Sequence, residues 1–181
     1  MSRKATLFVL LLFVLSLASS LLAQMQAPPP GPEVKKLDYF AGDWKSDADM
    51  KPDPMMPNGG KVTGTDHFEW MKGGYFLVGH TDFKMSNQSG AEMSVLGYDP
   101  KEKVYTYNAF NSMGQNESSK GTVNGDTWTW TGDADMGGGQ VMKGRFTMKI
   151  VSPTVYTYAY DISPDGTKWT NVMEGKATKV K

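Results

Sequence analysis

The sequence predicts an all-β fold, an up-and-down antiparallel β-barrel of about ten strands. Three observations carry that reading. From Gly42 onward, short runs of alternating apolar and polar residues are separated by turn-forming clusters. No stretch of the same region carries the three-and-four spacing of an amphipathic helix of ordinary length. A row of this many strands must also close on itself, or leave two edges open to aggregation.

Taken in order, residues 1–23 read as a secretory signal. Arg3 and Lys4 precede the apolar run from Leu7 to Leu17, which closes on small residues with cleavage after Ser20 or Ala23. The run is too short to be read as a membrane span. Residues 24–36 form a Pro-rich spacer, and residues 37–181 form the barrel domain. Within Val34 to Ala41, one helical turn would turn Leu37 and Phe40 the same way. Strands follow near 42–50, 61–71, 75–85, 91–99, 104–111, 116–123, 127–134, 140–151, 154–162 and 168–178.

The chain has no cysteine, so neither a disulfide nor a lipid-modified cysteine is available, and no stable membrane anchor remains after signal cleavage. Burial alone must stabilise the domain, which roughly 155 residues can do as one unit. Without Arg3 and Lys4 the chain holds 17 basic and 19 acidic residues, and Arg145 is its sole arginine. No basic cluster offers counterion-release binding, so nucleic acid is not an expected partner. The signal places the protein outside the cytoplasm, in a periplasm or the extracellular space. Oligomeric state is left open.

Turn chemistry sets an expected register. Asn124-Gly125 suits a two-residue type I′ hairpin that pairs Gly121 with Trp128. Across Lys72-Gly73, Phe68 and Trp70 would pair with Leu77 and Tyr75. Met142, Phe146, Met148 and Ile150 alternate with Lys143, Arg145, Thr147 and Lys149, so the first set should face inward. A tight Ser152-Pro153 link would keep Val155, Thr157 and Ala159 on that inner face, with Tyr156, Tyr158 and Tyr160 outside. A three-residue loop within Ser163 to Thr167 would then carry the face onto Trp169, Asn171 and Met173.

Gly42-Asp-Trp44, following the short helical turn, resembles the first-strand signature of lipocalins and the wider calycin barrels. The resemblance implies that Trp44 plugs the closed end. Gly97-Tyr-Asp99, Asn111-Ser-Met-Gly114, Thr127-Trp-Thr-Trp130 and Val172-Met-Glu-Gly175 are similar to a bacterial, exported calycin-like family of unknown function. That likeness spans Leu37 to Lys179 and implies a barrel able to hold a small molecule. It implies no reaction.

The inward set Phe68, Trp70, Leu77, Trp128, Trp130, Phe146, Met148, Trp169 and Met173 is the candidate lumen lining. Apolar walls with a few polar groups are the usual make-up of a small-molecule site, so the leading function is non-catalytic binding of a small apolar ligand. The same residues would equally line a filled core, which is the reading of a structural exported domain without ligand. The enzyme alternative rests on His67, Glu69, His80 and Asp82, the one His–carboxylate cluster and a weak metal candidate. In the expected register His67 faces Val78 and His80 faces Thr65. Met50, Met55 and Met56 offer thioethers to Cu(I) but have no histidine nearby in sequence. No histidine follows His80 to ligate haem on a late strand. No cofactor is therefore expected. There is neither a Gly-x-Ser-x-Gly elbow nor a phosphate-binding glycine loop.

Overall fold

A computed structural model describes residues 28–52, 57–85, 88–136 and 138–180. The signal segment, Met55 and Met56 lie outside these residues. A short helix α1 (Pro32–Lys35) and a 3-10 turn (Lys36–Tyr39) precede ten strands. These are β1 (Gly42–Met50), β2 (Gly60–Trp70), β3 (Leu77–Met85), β4 (Gln88–Asp99), β5 (Val104–Asn111), β6 (Asn116–Asn124), β7 (Thr127–Asp135), β8 (Val141–Ser152), β9 (Val155–Ser163) and β10 (Thr170–Lys179). Each strand pairs antiparallel with its sequence neighbours, and β10 closes onto β1, giving an up-and-down barrel with no free edge. The packed chain starts earlier than the expected boundary at Leu37, because α1 buries Val34 and its Glu33 meets Tyr105.

One end of the barrel is sealed by the chain that leads into it. The 3-10 turn pushes Leu37 and Phe40 beneath the strands, where both are buried. Trp44 is 1% exposed and donates its indole N–H to the Phe40 carbonyl at 2.7 Å. Its ring meets those of Tyr39 and Tyr156, and Phe40 meets Trp128 edge-on. The Tyr39 hydroxyl donates to the carbonyls of Ser152 and Val155, and Trp70 donates to Asp38. Lys179 lies over the Trp44 ring and donates to the Tyr39 carbonyl. Aromatic burial thus fills the end, and the polar hydrogens of Tyr39, Trp44 and Trp70 each have a stated acceptor.

The register departs from expectation at four places. Asn124 pairs with Thr127, so the hairpin turns on Gly125 and Asp126, and Trp130 rather than Trp128 sits opposite Gly121. A type I′ turn needs positive φ at both central residues. Only Gly125 has it, as in a type II′ turn. Between β2 and β3, Gly73 and Gly74 both take positive φ and lengthen the loop, so Trp70 pairs with Leu77 and Phe68 with Gly79.

The other two departures are bulges. A register shift between Ile150 and Ser152 leaves Val151 extra and exposed, and brings Tyr156 opposite Ile150. One inserted residue reverses the face of a strand. Tyr156, Tyr158 and Tyr160 therefore point inward, while Thr157 is exposed. On β10, a shift between Asn171 and Met173 turns both Val172 and Met173 toward the interior. Trp169 precedes the strand and stands outside, its ring 4.3 Å from the Arg145 guanidinium carbon. Arg145 is itself held by Asp161.

Inside the wall, large rings lie across glycines of neighbouring strands. Phe68 covers Gly79, Trp130 covers Gly121 and Tyr158 covers Gly175, each glycine being the ring's cross-strand partner. A β-carbon at Gly121 would stand 2.4 Å from the Trp130 ring. Both residues are buried, so neither can step aside. Gly121→Ala is therefore expected to cost about 1–3 kcal/mol through overpacking, more than the entropy it removes from the unfolded chain. A urea midpoint unchanged or raised by the substitution would contradict this packing.

Candidate functional site

Above the sealed end the barrel is hollow. A cavity of about 540 Å³ runs from Phe40 at its floor to a mouth at Met50, Met113, Gln115, Met136 and Met173. The mouth lies where β5 turns into β6 and β7 leads to β8, opposite the end that α1 and Trp44 close. Methionines at the rim give a flexible, polarisable edge. The volume suits a small organic molecule.

The expected lining residues divide into three groups. Phe68, Trp130, Phe146, Met148 and Met173 border the cavity. Trp70, Leu77 and Trp128 pack with Trp44 in or against the sealed end and do not border it. Trp169 is on the outer surface, because the β10 bulge and its stacking on Arg145 place it there. The tyrosines of β9 take its place inside. Phe146 meets Tyr158 at 5.4 Å and Tyr160 at 6.4 Å between ring centroids. Burial pushes the Tyr158 and Tyr160 hydroxyls up to about 12, so both stay neutral donors at ordinary pH.

Inward-facing carboxylates are the feature that was not singled out from sequence. Asp66 of β2 accepts from the Thr81 hydroxyl at 2.7 Å. Glu92 of β4 accepts from the Tyr107 hydroxyl at 2.5 Å. Glu117 of β6 accepts from the Ser119 hydroxyl at 2.5 Å. All three border the cavity. Alternation contains the signal: Asp66 shares the parity of Phe68, and Glu117 that of Gly121, the expected partner of the inward Trp128. Burial raises the Asp66 carboxyl above the usual carboxylate range, against the pull of the Thr81 hydrogen bond. Burial raises Glu92 likewise; the Tyr107 hydrogen bond opposes this, and the charges of Glu117 and Asp66 add to it.

The His–carboxylate set lies elsewhere. His67 and His80 face each other directly across β2 and β3, nearer than the expected diagonal, but on the exposed outer face. His67 Nδ1 contacts Asp43 Oδ1 at 2.7 Å, and that hydrogen bond raises the imidazole's pKa. Glu69 and Asp82 are exposed on the same outer face of β2 and β3. Among the described residues, no group of three or more His, Cys, Asp or Glu side chains is placed to hold a metal ion.

Residues 29–179 match the family described as a protein of unknown function (DUF1579), and the chain belongs to that family. Among curated proteins, none matches significantly. Two solved structures share the calycin-like closed barrel. The crystal structure of Rv2717c from M. tuberculosis has a TM-score of 0.60 at 11% identity, covering 84% of this chain and 99% of that one. The S-type phycobiliprotein lyase CPES from Guillardia theta has a TM-score of 0.58 at 9% identity, covering 81% of this chain and 92% of that one. At these identities the likeness carries the fold.

The buried carboxylates give a testable pH signature. A carboxyl whose folded pKa is raised supports folding fully below its unfolded pKa, and loses that support as pH rises through the folded value. At pH 7 an ionised Glu92 is therefore a burden on the fold. Glu92→Gln keeps an acceptor for Tyr107 and removes the charge. It should raise Tm at pH 7 by a few degrees, about 2–4 °C per kcal/mol at this chain length. The gain should shrink as pH falls below the ordinary glutamate range, near ~4.3. Thermal melts at pH 7 and pH 4 decide it; a variant less stable than wild type at pH 7 contradicts the assignment.

Proposed function

We propose that this calycin-like barrel is exported and binds a small, mainly apolar molecule in its lumen without catalysing a reaction on it. The observation that carries the reading is the cavity of about 540 Å³, walled by Phe68, Trp130, Phe146 and Met148 and open at one end. A purely structural barrel gains by filling its interior, since unfilled volume forfeits packing contacts. Here the rings lie flat over wall glycines, and the centre stays open. The basic–apolar–small order of residues 1–23 supports export.

The likeness to a protein named as a phycobiliprotein lyase is in keeping with a lumen that receives a small molecule, though it does not name one. An enzyme built on His67 and His80 draws no support from their position on the exposed outer face, where, among the described residues, they form no group with Glu69 and Asp82 placed to hold a metal ion.

Mass spectrometry of protein recovered from its own host tests both parts. The intact mass should lack roughly the first twenty residues, as a cleaved signal requires. Under native conditions the protein should carry a small co-purifying adduct, or take up an added apolar probe with a change in tryptophan emission from Trp130. Full-length protein in the cytoplasm would overturn export. An adduct-free protein that ignores apolar probes at micromolar concentration would overturn binding.

A further inference from the structure

The charged groups of the lumen are of one sign. Asp66, Glu92 and Glu117 enter it from β2, β4 and β6, which lie along one side of the closed strand order. Trp130, Phe146, Tyr158 and Tyr160 enter from β7, β8 and β9 on the other side. Asp133 and Asp135 of β7 also border it beside Met136 at the mouth, where Lys143 pairs with Asp133, and among the described residues no lysine, arginine or histidine itself borders the cavity. Arg145 cannot serve, because it is engaged by Asp161 and Trp169 on the outer surface.

None of the three carboxylates pairs with a cationic side chain among the described residues. Each has a hydroxyl donor instead. Burying carboxylates near one another without a counter-charge is costly. Glu92 also feels both of the others. A bound cation would relieve that repulsion. It would gain charge-assisted hydrogen bonds from the acidic wall and attraction to the ring faces opposite. A ligand carboxylate would meet like charge and no partner.

Resting on the lumen-binding reading above, we infer that the ligand is a hydrophobic amine: an apolar body, seated on the aromatic wall, with a protonated nitrogen directed at Asp66 and Glu92. Fatty acids and other apolar anions are selected against by the same groups.

Three probes of equal chain length test this: decylamine, decanol and decanoate, each below its micelle-forming concentration at pH 7. Binding to the mature protein is followed by calorimetry and tryptophan emission. Decylammonium should bind at least about tenfold tighter than decanol, and decanoate at least about tenfold weaker, as expected for charge-assisted contacts in a partly desolvated site. In the double variant Asp66→Asn with Glu92→Gln, the ammonium should fall to decanol's affinity while decanol itself is unchanged. If the double variant does not fold, Glu92→Gln alone must reduce the preference.

Decanol binding as tightly as decylammonium, or decanoate binding best, overturns the amine assignment and leaves lumen binding standing. A preference that survives the substitutions shows that Asp66 and Glu92 do not hold the amine, and overturns the assignment too. If no probe binds, the lumen reading itself falls, and the amine with it.

Discussion

The buried Trp44 indole is the contact on which the rest of the molecule depends. Its N–H reaches the Phe40 carbonyl, and its ring packs between Tyr39, Tyr156 and the Lys179 ammonium. This ties the entering chain, the first strand, the ninth strand and the end of the last strand at one point. The turn that carries Tyr39 and Phe40 is held by bonds to Ser152 and Val155, and α1 is held by Tyr105. A closed sheet alone defines a tube. The aromatic floor gives the tube one end, and so makes the other end an entrance.

The wall follows a second rule. Three of the inward rings need somewhere to lie, and for each the neighbouring strand supplies a glycine. Phe68 on Gly79, Trp130 on Gly121 and Tyr158 on Gly175 spread their rings along the sheet instead of across the bore. Rings used in this way cover the backbone of flexible positions and leave volume at the centre. Small residues facing large ones could have filled a tapering barrel. Their pairing at the wall is what yields a cavity instead.

Much of this was legible in the sequence. The ten strands and their antiparallel order follow from alternation and turn residues, while the place of Trp44 was only what the resemblance of Gly42-Asp-Trp44 to the calycin signature implied. Faces were legible wherever a strand ran without interruption, as from Met142 to Ile150. They were lost at bulges, because one extra residue at Val151 is invisible in a composition that alternates correctly on both sides of it. That single residue sent Tyr156, Tyr158 and Tyr160 inside, and the shift at Val172 left Trp169 outside. The acidic wall was legible by parity from Phe68 and Gly121. It went unassigned because carboxylates are rarely buried unpaired, so the eye gives them to solvent.

The central claim is that one end is packed, the other is open, and the space between receives an apolar molecule. Methyl-labelled protein titrated with an apolar probe, followed by NMR, tests it residue by residue. Shifts and intermolecular contacts should concentrate on Met148, Ile162 and Val172, which border the cavity, and spare Leu37 and Leu77 in the sealed end. Changes confined to exposed methyls such as Met93 and Val151, with Met148 and Ile162 silent, would contradict it.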